Sequence, residues 1–479
     1  MMDGLHLRRD GMRKRLFVLG FVVAILYGSF YLGNDVVLAP QFYLAILVGT
    51  IPVAICAWII IRSPQSDRFF LSRAFTAALV VRYFLAYIVY SRGLQQFLGA
   101  DADTYDAFGN ALLKSWQGLV DPTSYWLVKY TSAKTSGFGM YYYVAGIYYV
   151  IGQNPLAIQL INCALGAAVC IAGYRIAMMV YPSERVARAV CLMTALSPSL
   201  ILWTGQGLKD GPIMLCLCLC VLYALKLRDK IEIKSFVLLL LSLLGLYTLR
   251  HYAAYIMFTA VAGGLLFTSR KKLGAFKMIQ GAILVIIIGV AFTYFGAPDV
   301  ARSTIDLKQI QNARVWGAKA SNSGFGGDVD ITDPEAALSY LPLGILYVLL
   351  SPFPWMINNF RQLITLPELI AWWCLMPMMV RGYWFVLRHR IRQSFVICTF
   401  VLGLTFAFAL YQSNAGTAYR HRSQLYVFFF IFISIGLELR RKAKQEKLAR
   451  MYRGLPFGNV PVVGVPPRMT ATSMKIQPQ

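Results

Sequence analysis

Residues 282–292 read AILVIIIGVAF, and this run decides the fold class. No polar residue alternates through it, whereas a transmembrane β-barrel shows dyad alternation in segments of about ten residues. Comparable apolar runs close to about 20 residues long recur along the chain, the length a helix needs to cross a bilayer. Of the 479 residues, 58% are AVILMFWYC and only 14% are charged, with a mean hydropathy of +0.58. Soluble domains carry roughly 25% charged residues, so this chain lacks the polar surface to cover itself in water. A soluble enzyme, a coiled coil and a disordered scaffold are excluded. The sequence predicts an all-α polytopic membrane protein with about twelve transmembrane helices, 11 to 14 at the outside.

The net charge of +25 comes from 46 Lys+Arg against 21 Asp+Glu. The basic residues gather in short connections, as the positive-inside rule requires, so a nucleic-acid partner is not expected. Arg8, Arg9, Arg13, Lys14 and Arg15 precede a first apolar run and put residues 1–15 on the cytoplasmic side. Further spans are predicted near 42–61, 74–91, 156–180, 187–204, 211–227, 235–249, 252–268, 278–296, 366–387, 394–411 and 423–438. The apolar stretches 138–152 and 338–353 are short or interrupted. Treating them as interfacial or re-entrant leaves the basic segments 62–73, 182–189, 226–234, 269–277 and 381–393 all cytoplasmic.

That bookkeeping makes 16–438 one transmembrane catalytic domain with two long outer loops, 92–137 and 297–365. Residues 439–479 form a basic, then disordered, cytoplasmic tail. All nine Cys fall in apolar stretches, so no disulfides are expected. Cys216, Cys218 and Cys220 have a metal-like spacing, but a helix turns alternate residues to different faces.

Three groups of residues can carry chemistry at the outer face. Asp101, Asp103 and Asp106 follow the third span closely enough to repel one another, which suits a catalytic base or leaves room for a divalent cation near Asp101/Asp103. A helix N-cap with first-turn acids would read the same way. Lys209-Asp210 opens the span at 211, where a charged pair at a membrane edge is costly without a role. Arg250-His251 and Arg420-His421-Arg422 lie on the translocated side, where basic residues are disfavoured unless an anion offsets them; Arg forks and His donors suit phosphate oxygens. Arg82 and Arg175 are ionisable residues within spans. Arg82 reads as either a bundle-facing structural residue or a phosphate contact. A base facing cations that hold a phosphate leaving group is the minimum for transfer from a lipid phosphate.

At these residues the chain resembles the GT-C superfamily of membrane glycosyltransferases, above all the bacterial members related to protein O-mannosyltransferases and lipid A aminoarabinose transferases. The resemblance rests on the acidic first outer loop (Asp101, Asp103, Tyr105) and the pattern Tyr181-Pro-Ser-Glu-Arg185, Ser197-Pro198, Trp203, Lys209-Asp210. The PFPW stretch at 352–355 and the late outer Arg cluster add to it.

It implies a multi-pass protein of the bacterial inner membrane with both termini cytoplasmic. The implied donor is a polyprenyl-phosphate or polyprenyl-diphosphate sugar, and the acceptor an envelope glycan, lipid or protein. An acid of the first outer loop would act as base or metal contact: here Asp101 or Asp103, with Ala102 between them where the family often has adjacent acids. Lys209, Arg250, His251, Arg420, His421 and Arg422 would bind the donor phosphate. A polysaccharide polymerase or ligase, or a flippase or transporter of a lipid-linked saccharide, remain as alternatives. A transporter should carry charges on broken helices near the midplane, whereas here they gather at one face.

Overall fold

A computed structural model describes residues 40–267, 281–290, 306–319, 323–357, 363 and 365–453. The expected first span near residue 16 and the end of the tail lie outside them. Among the described residues the fold is all-α, with a single isolated bridge between Gly324 and Asn414. Seven helices are long and apolar enough to span a membrane, and an eighth span results if one bent pair counts as a unit. Four shorter apolar helices accompany them: Ile233–Leu249, His251–Leu266, Gly281–Val290 and Pro334–Leu350. The predicted spans from residue 42 onward each fall on one of these elements.

The first two helices, α1 (Pro40–Ile61) and α2 (Gln65–Ser91), lead through a short α3 (Gln95–Gly99) into α4 (Asp101–Trp116). The segment 92–137, expected as an outer loop, is thus structured, and includes α5 (Tyr125–Thr131). Next comes α6 (Phe138–Ile151), whose 14 residues rise only about 21 Å at 1.5 Å each. That falls short of the roughly 30 Å hydrocarbon core, so α6 cannot cross alone. Its Tyr141 lies against Tyr105 and Phe108 of α4 and Tyr130 of α5, with ring centroids 5.4–6.2 Å away.

The centre of the bundle is α7 (Pro155–Val180), buried over nearly its whole length. Pro155 occupies its first turn and the Asn154 side chain accepts from Ala157 N, so the start is defined by sequence. Small residues along it let neighbours approach, which is how helices associate where lipid is as apolar as leucine. Gly166, for example, leaves space for Thr204 and the Arg82 side chain.

A break follows. Helices α8 (Glu184–Leu196) and α9 (Pro198–Thr204) meet at 54°, because Pro198 lacks the N–H that would continue the ladder. Arg82, fully buried on α2, satisfies the carbonyls this frees: Nη1 donates to Ala195 O at 2.9 Å and Nη2 to Thr194 O at 3.4 Å, while Nε donates to Thr204 Oγ1 at 2.8 Å. Of the two readings of Arg82, the structural one describes its contacts. The chain then turns through Gly205–Leu208, held by Asn162 Nδ2 donating to Gln206 O (3.0 Å) and Leu208 O (2.7 Å), into α10 (Asp210–Asp229).

After α11 (Ile233–Leu249) and α12 (His251–Phe267), α13 (Gly281–Val290) is apolar, and α14 (Leu307–Lys319) and α15 (Pro334–Leu350) fall within 297–365, the stretch expected as the second outer loop. Four more helices follow: α16 (Leu366–His389), α17 (Ile391–Tyr411), α18 (Ala415–Arg422) and α19 (Tyr426–Arg453). The last helix runs on to Arg453, so the basic start of 439–479 is helical. All nine Cys are free thiols, and Cys216, Cys218 and Cys220 lie along α10 with Cys218 and Cys220 buried.

Candidate active site

The site is assembled from three helix starts and one short helix. Asp101 is the first residue of α4, and a separation of two residues turns Asp103 roughly 200° away around the helix. Asp101 faces α18; Asp103 does not. The short α18 begins where Asn414 caps the amides of Gly416 and Thr417, and the neighbouring segment pairs with the stretch between α14 and α15 through Phe325 N donating to Ser413 O at 2.8 Å. This anchoring presents Arg420. Its Nη1 donates to Asp101 Oδ2 at 2.7 Å, and its Nη2 and Nε donate to Asp210 Oδ2 at 2.6 and 3.1 Å. Asp101 keeps 53% of its side chain exposed and Asp210 only 1%. The guanidinium also lies over Trp203, 5.2 Å from the ring centre.

Lys209 precedes α10 and sits beside Gly137, which opens α6 at φ +93°. A Cβ at Gly137 would lie 2.6 Å from Lys209 Nζ, so glycine is required both for the left-handed turn and for the room the ammonium occupies. Burial and the nearby Arg250 guanidinium pull Lys209 from the usual 10.5 down to about 7. Arg250 is buried at the junction of α11 and α12, where its Nη1 donates to the Tyr252 hydroxyl at 2.7 Å. Among the described residues, neither Lys209 nor Arg250 has a carboxylate within ion-pair distance, although both act electrostatically on Asp210. Three cations (Lys209, Arg250, Arg420) therefore meet two carboxylates (Asp101, Asp210), and the surplus favours an anion. His251 packs on Tyr247 at 4.6 Å with Nε2 unpartnered. His421 lies 2.5 Å from Gln412 Nε2 through Nδ1 and stacks on Phe408.

Residues 136–295, which hold Gly137, Lys209, Asp210, Arg250 and His251, match the family model described as dolichyl-phosphate-mannose-protein mannosyltransferase. That stretch, a third of the chain, is similar to membrane glycosyltransferases of the GT-C type. No curated protein and no solved structure matches the chain. Asp101 and Arg420 stand outside the matched stretch and reach the site only through the fold.

Two other residues expected at the site go elsewhere. Asp103 lines a separate cavity between α4, α6 and α7, where burial and the Asp106 carboxylate raise its pKa above the usual aspartate value. Arg422 is fully buried and donates to the carbonyls of Leu349 (2.8 Å) and Ser351 (2.9 Å), closing the end of α15 as Arg82 closes α8. Near Asp101 the Arg420 guanidinium stands where a divalent cation would have to bridge the acids. Among the described residues no group of three or more His, Cys, Asp or Glu that could hold a metal ion is found.

A carboxylate that sequence reasoning missed organises the other side. Glu368, in the first turn of α16, accepts from Ser197 Oγ (2.7 Å), Ser199 N (3.0 Å), Ser199 Oγ (2.5 Å) and Tyr419 OH (2.5 Å). It ties α9, α16 and α18 together one residue from Arg420. The Ser-Pro-Ser at 197–199 was visible in the sequence, but nothing in its spacing pointed to a partner 169 to 171 residues away.

Proposed function

We propose that the protein transfers a sugar from a polyprenyl-phosphate or polyprenyl-diphosphate donor to a cell-envelope glycan, lipid or protein, at the outer face of the bacterial inner membrane. The observation that carries this reading is the Asp101–Arg420–Asp210 bridge with Lys209 and Arg250 left unpaired beside it. An acceptor hydroxyl would give its proton to the exposed carboxylate of Asp101 as its oxygen attacks the anomeric carbon. The bond from that carbon to the phosphate oxygen breaks, and its electron pair leaves with the lipid phosphate. Lys209, Arg250 and Arg420 would stabilise the charge gathering on that oxygen, in a setting of low dielectric where fixed charges act strongly. The route is a single displacement with inversion. The family's printed description, with its lipid-phosphate mannose donor, agrees with this donor class.

The test is turnover by the full chain in lipid nanodiscs, supplied with polyprenyl-phosphate and polyprenyl-diphosphate sugars and an envelope extract as acceptor. Acceptor-dependent release of the lipid phosphate is expected, with a loss on the order of 10² or more in Asp101→Asn at unchanged folding. Full turnover in Asp101→Asn, or no release from either donor by folded wild type, overturns the reading.

A further inference from the structure

The end of the bundle away from Arg420 carries a charged cluster that the transfer chemistry does not use. Ala415–Met451 forms one long span, so the stretch from Arg420 to Lys442 rises roughly 33 Å at 1.5 Å per residue. That matches the depth of a hydrocarbon core, about 30 Å.

Three segments that are basic in the sequence meet there on one aromatic ring. Tyr181, in the turn between α7 and α8, is buried and packs on Phe385 of α16 with ring centres 6.1 Å apart. Lys442 of α19 donates from Nζ to the Tyr181 hydroxyl at 3.0 Å and lies 5.5 Å from the ring centre. The Arg390 guanidinium, from the junction of α16 and α17, lies 5.8 Å from the same centre.

Carboxylates do not balance these charges. Glu438, only 6% exposed, accepts from Arg441 Nη2 at 2.7 Å and from its Nε at 3.0 Å, with Arg185 Nη1 at 3.8 Å. Glu184 is taken by Arg188 at 2.8 Å. Among the described residues, neither Arg390 nor Lys442 has a carboxylate within ion-pair distance. Two cations held on one ring repel each other unless an anion lies between them.

The neighbouring surface indicates which anion. Val380, Trp384 and Arg388 follow at steps of four and share one face of α16. Val380 and Trp384 are 61% and 54% exposed, and the Arg388 guanidinium lies 4.5 Å over the Trp384 ring. An apolar strip that ends in cations fits an amphiphile, with an acyl chain along α16 and a phosphate at the basic end.

We propose that this niche binds the phosphate of an anionic phospholipid, held by Arg390 and Lys442 with Arg388 at its edge. The lipid clamps together the ends of α7, α16 and α19. It is separate from any glycosyl donor, whose cations lie at the other end of the span.

Thermal unfolding of the full chain in neutral detergent, titrated with phosphatidylglycerol or phosphatidylcholine, tests this without turnover, because a ligand of the folded state raises its stability. Wild type should be stabilised by phosphatidylglycerol at concentrations where phosphatidylcholine has no effect. Arg390→Ala and Lys442→Ala should each raise the phosphatidylglycerol concentration required about tenfold. Native mass spectrometry should show the bound lipid lost in parallel. Lys447→Ala removes an equal charge from an exposed position of α19 beyond the niche and should bind as wild type does. Equal weakening in Lys447→Ala would mean that diffuse charge attracts the lipid, and overturns the site. Equal stabilisation by both lipids, or wild-type affinity in folded Arg390→Ala and Lys442→Ala, also overturns it. Inorganic phosphate should not reproduce the effect; if it stabilises as strongly as the lipid, the niche belongs to a free anion and the lipid assignment is wrong.

Discussion

Nη1 of Arg420 lies 2.7 Å from Oδ2 of Asp101, joining α18 to the first residue of α4 across 319 positions of sequence. The same guanidinium holds Asp210, and the two partners differ sharply in exposure, 53% against 1%. A planar fork can face both carboxylates together; an ammonium is a point charge and cannot. The bridge therefore has a buried half at Asp210 and a solvent-exposed half at Asp101.

Removing the guanidinium should separate those halves. Arg420→Ala leaves Asp210 buried without its direct partner, a change that typically costs about 3–5 kcal/mol. Thermal unfolding in detergent should show a large loss, and Arg420→Ala combined with Asp210→Asn should recover much of it. Arg420→Lys should fold better than Arg420→Ala yet turn over poorly. Strictly additive stabilities in that cycle would mean the two side chains are not coupled.

Arg422, two residues on, should behave differently. Its donors go to the carbonyls at the end of α15, so Arg422→Ala strips satisfied groups from a buried helix end. The expected result is a fall in thermal stability of about 1–3 kcal/mol or more, with the apparent donor KM of the remaining folded enzyme unchanged. A raised donor KM at normal stability would return Arg422 to the phosphate.

These two arginines show where sequence reading reached and where it stopped. The apolar runs and the charged pairs Lys209-Asp210 and Arg250-His251 are local signals, and the helices begin and end close to them, whereas 187–204 reads as one span and is broken at Pro198. Arg420 and Arg422 carry the same signal, yet about 200° of helix rotation sends one to the carboxylates and the other into the bundle. Asp101 and Asp103 divide in the same manner. The register that decides between such neighbours comes from distant packing, as does the bonding of Glu368 to Ser197 and Ser199, and no local spacing encodes it.

The close approach of α16 and α19 depends on two glycines. A Cβ at Gly382 would meet the Phe432 carbonyl, and one at Gly436 the Met378 carbonyl, both being backbone atoms that cannot swing aside. Gly382→Ala and Gly436→Ala should each lower thermal stability by about 1–3 kcal/mol through overpacking. Gly146→Ala, with nothing near the new methyl group, is the control and should be silent. A silent Gly436→Ala would show that α16 and α19 part easily.

The final prediction concerns pH and Lys209. Its ammonium is held down to about 7 by burial and by Arg250 in the free enzyme. Above that value most molecules carry a neutral amine, while an anionic phosphate binds best to the ammonium and so must draw in a proton. Donor affinity should be flat below about 7 and fall toward tenfold per pH unit above it, since one proton is taken up per phosphate bound. Folding alone has the opposite sign: the unfolded chain holds this proton up to about 10.5, so between about 7 and 10.5 the stability contribution rises with pH. The two trends distinguish lost binding from lost protein. Lys209→Met should weaken donor binding at pH 6.5 and abolish the decline above 7, as read by the donor KM across pH 6 to 9. An unchanged decline in Lys209→Met would assign the titration to another group and remove Lys209 from the phosphate site.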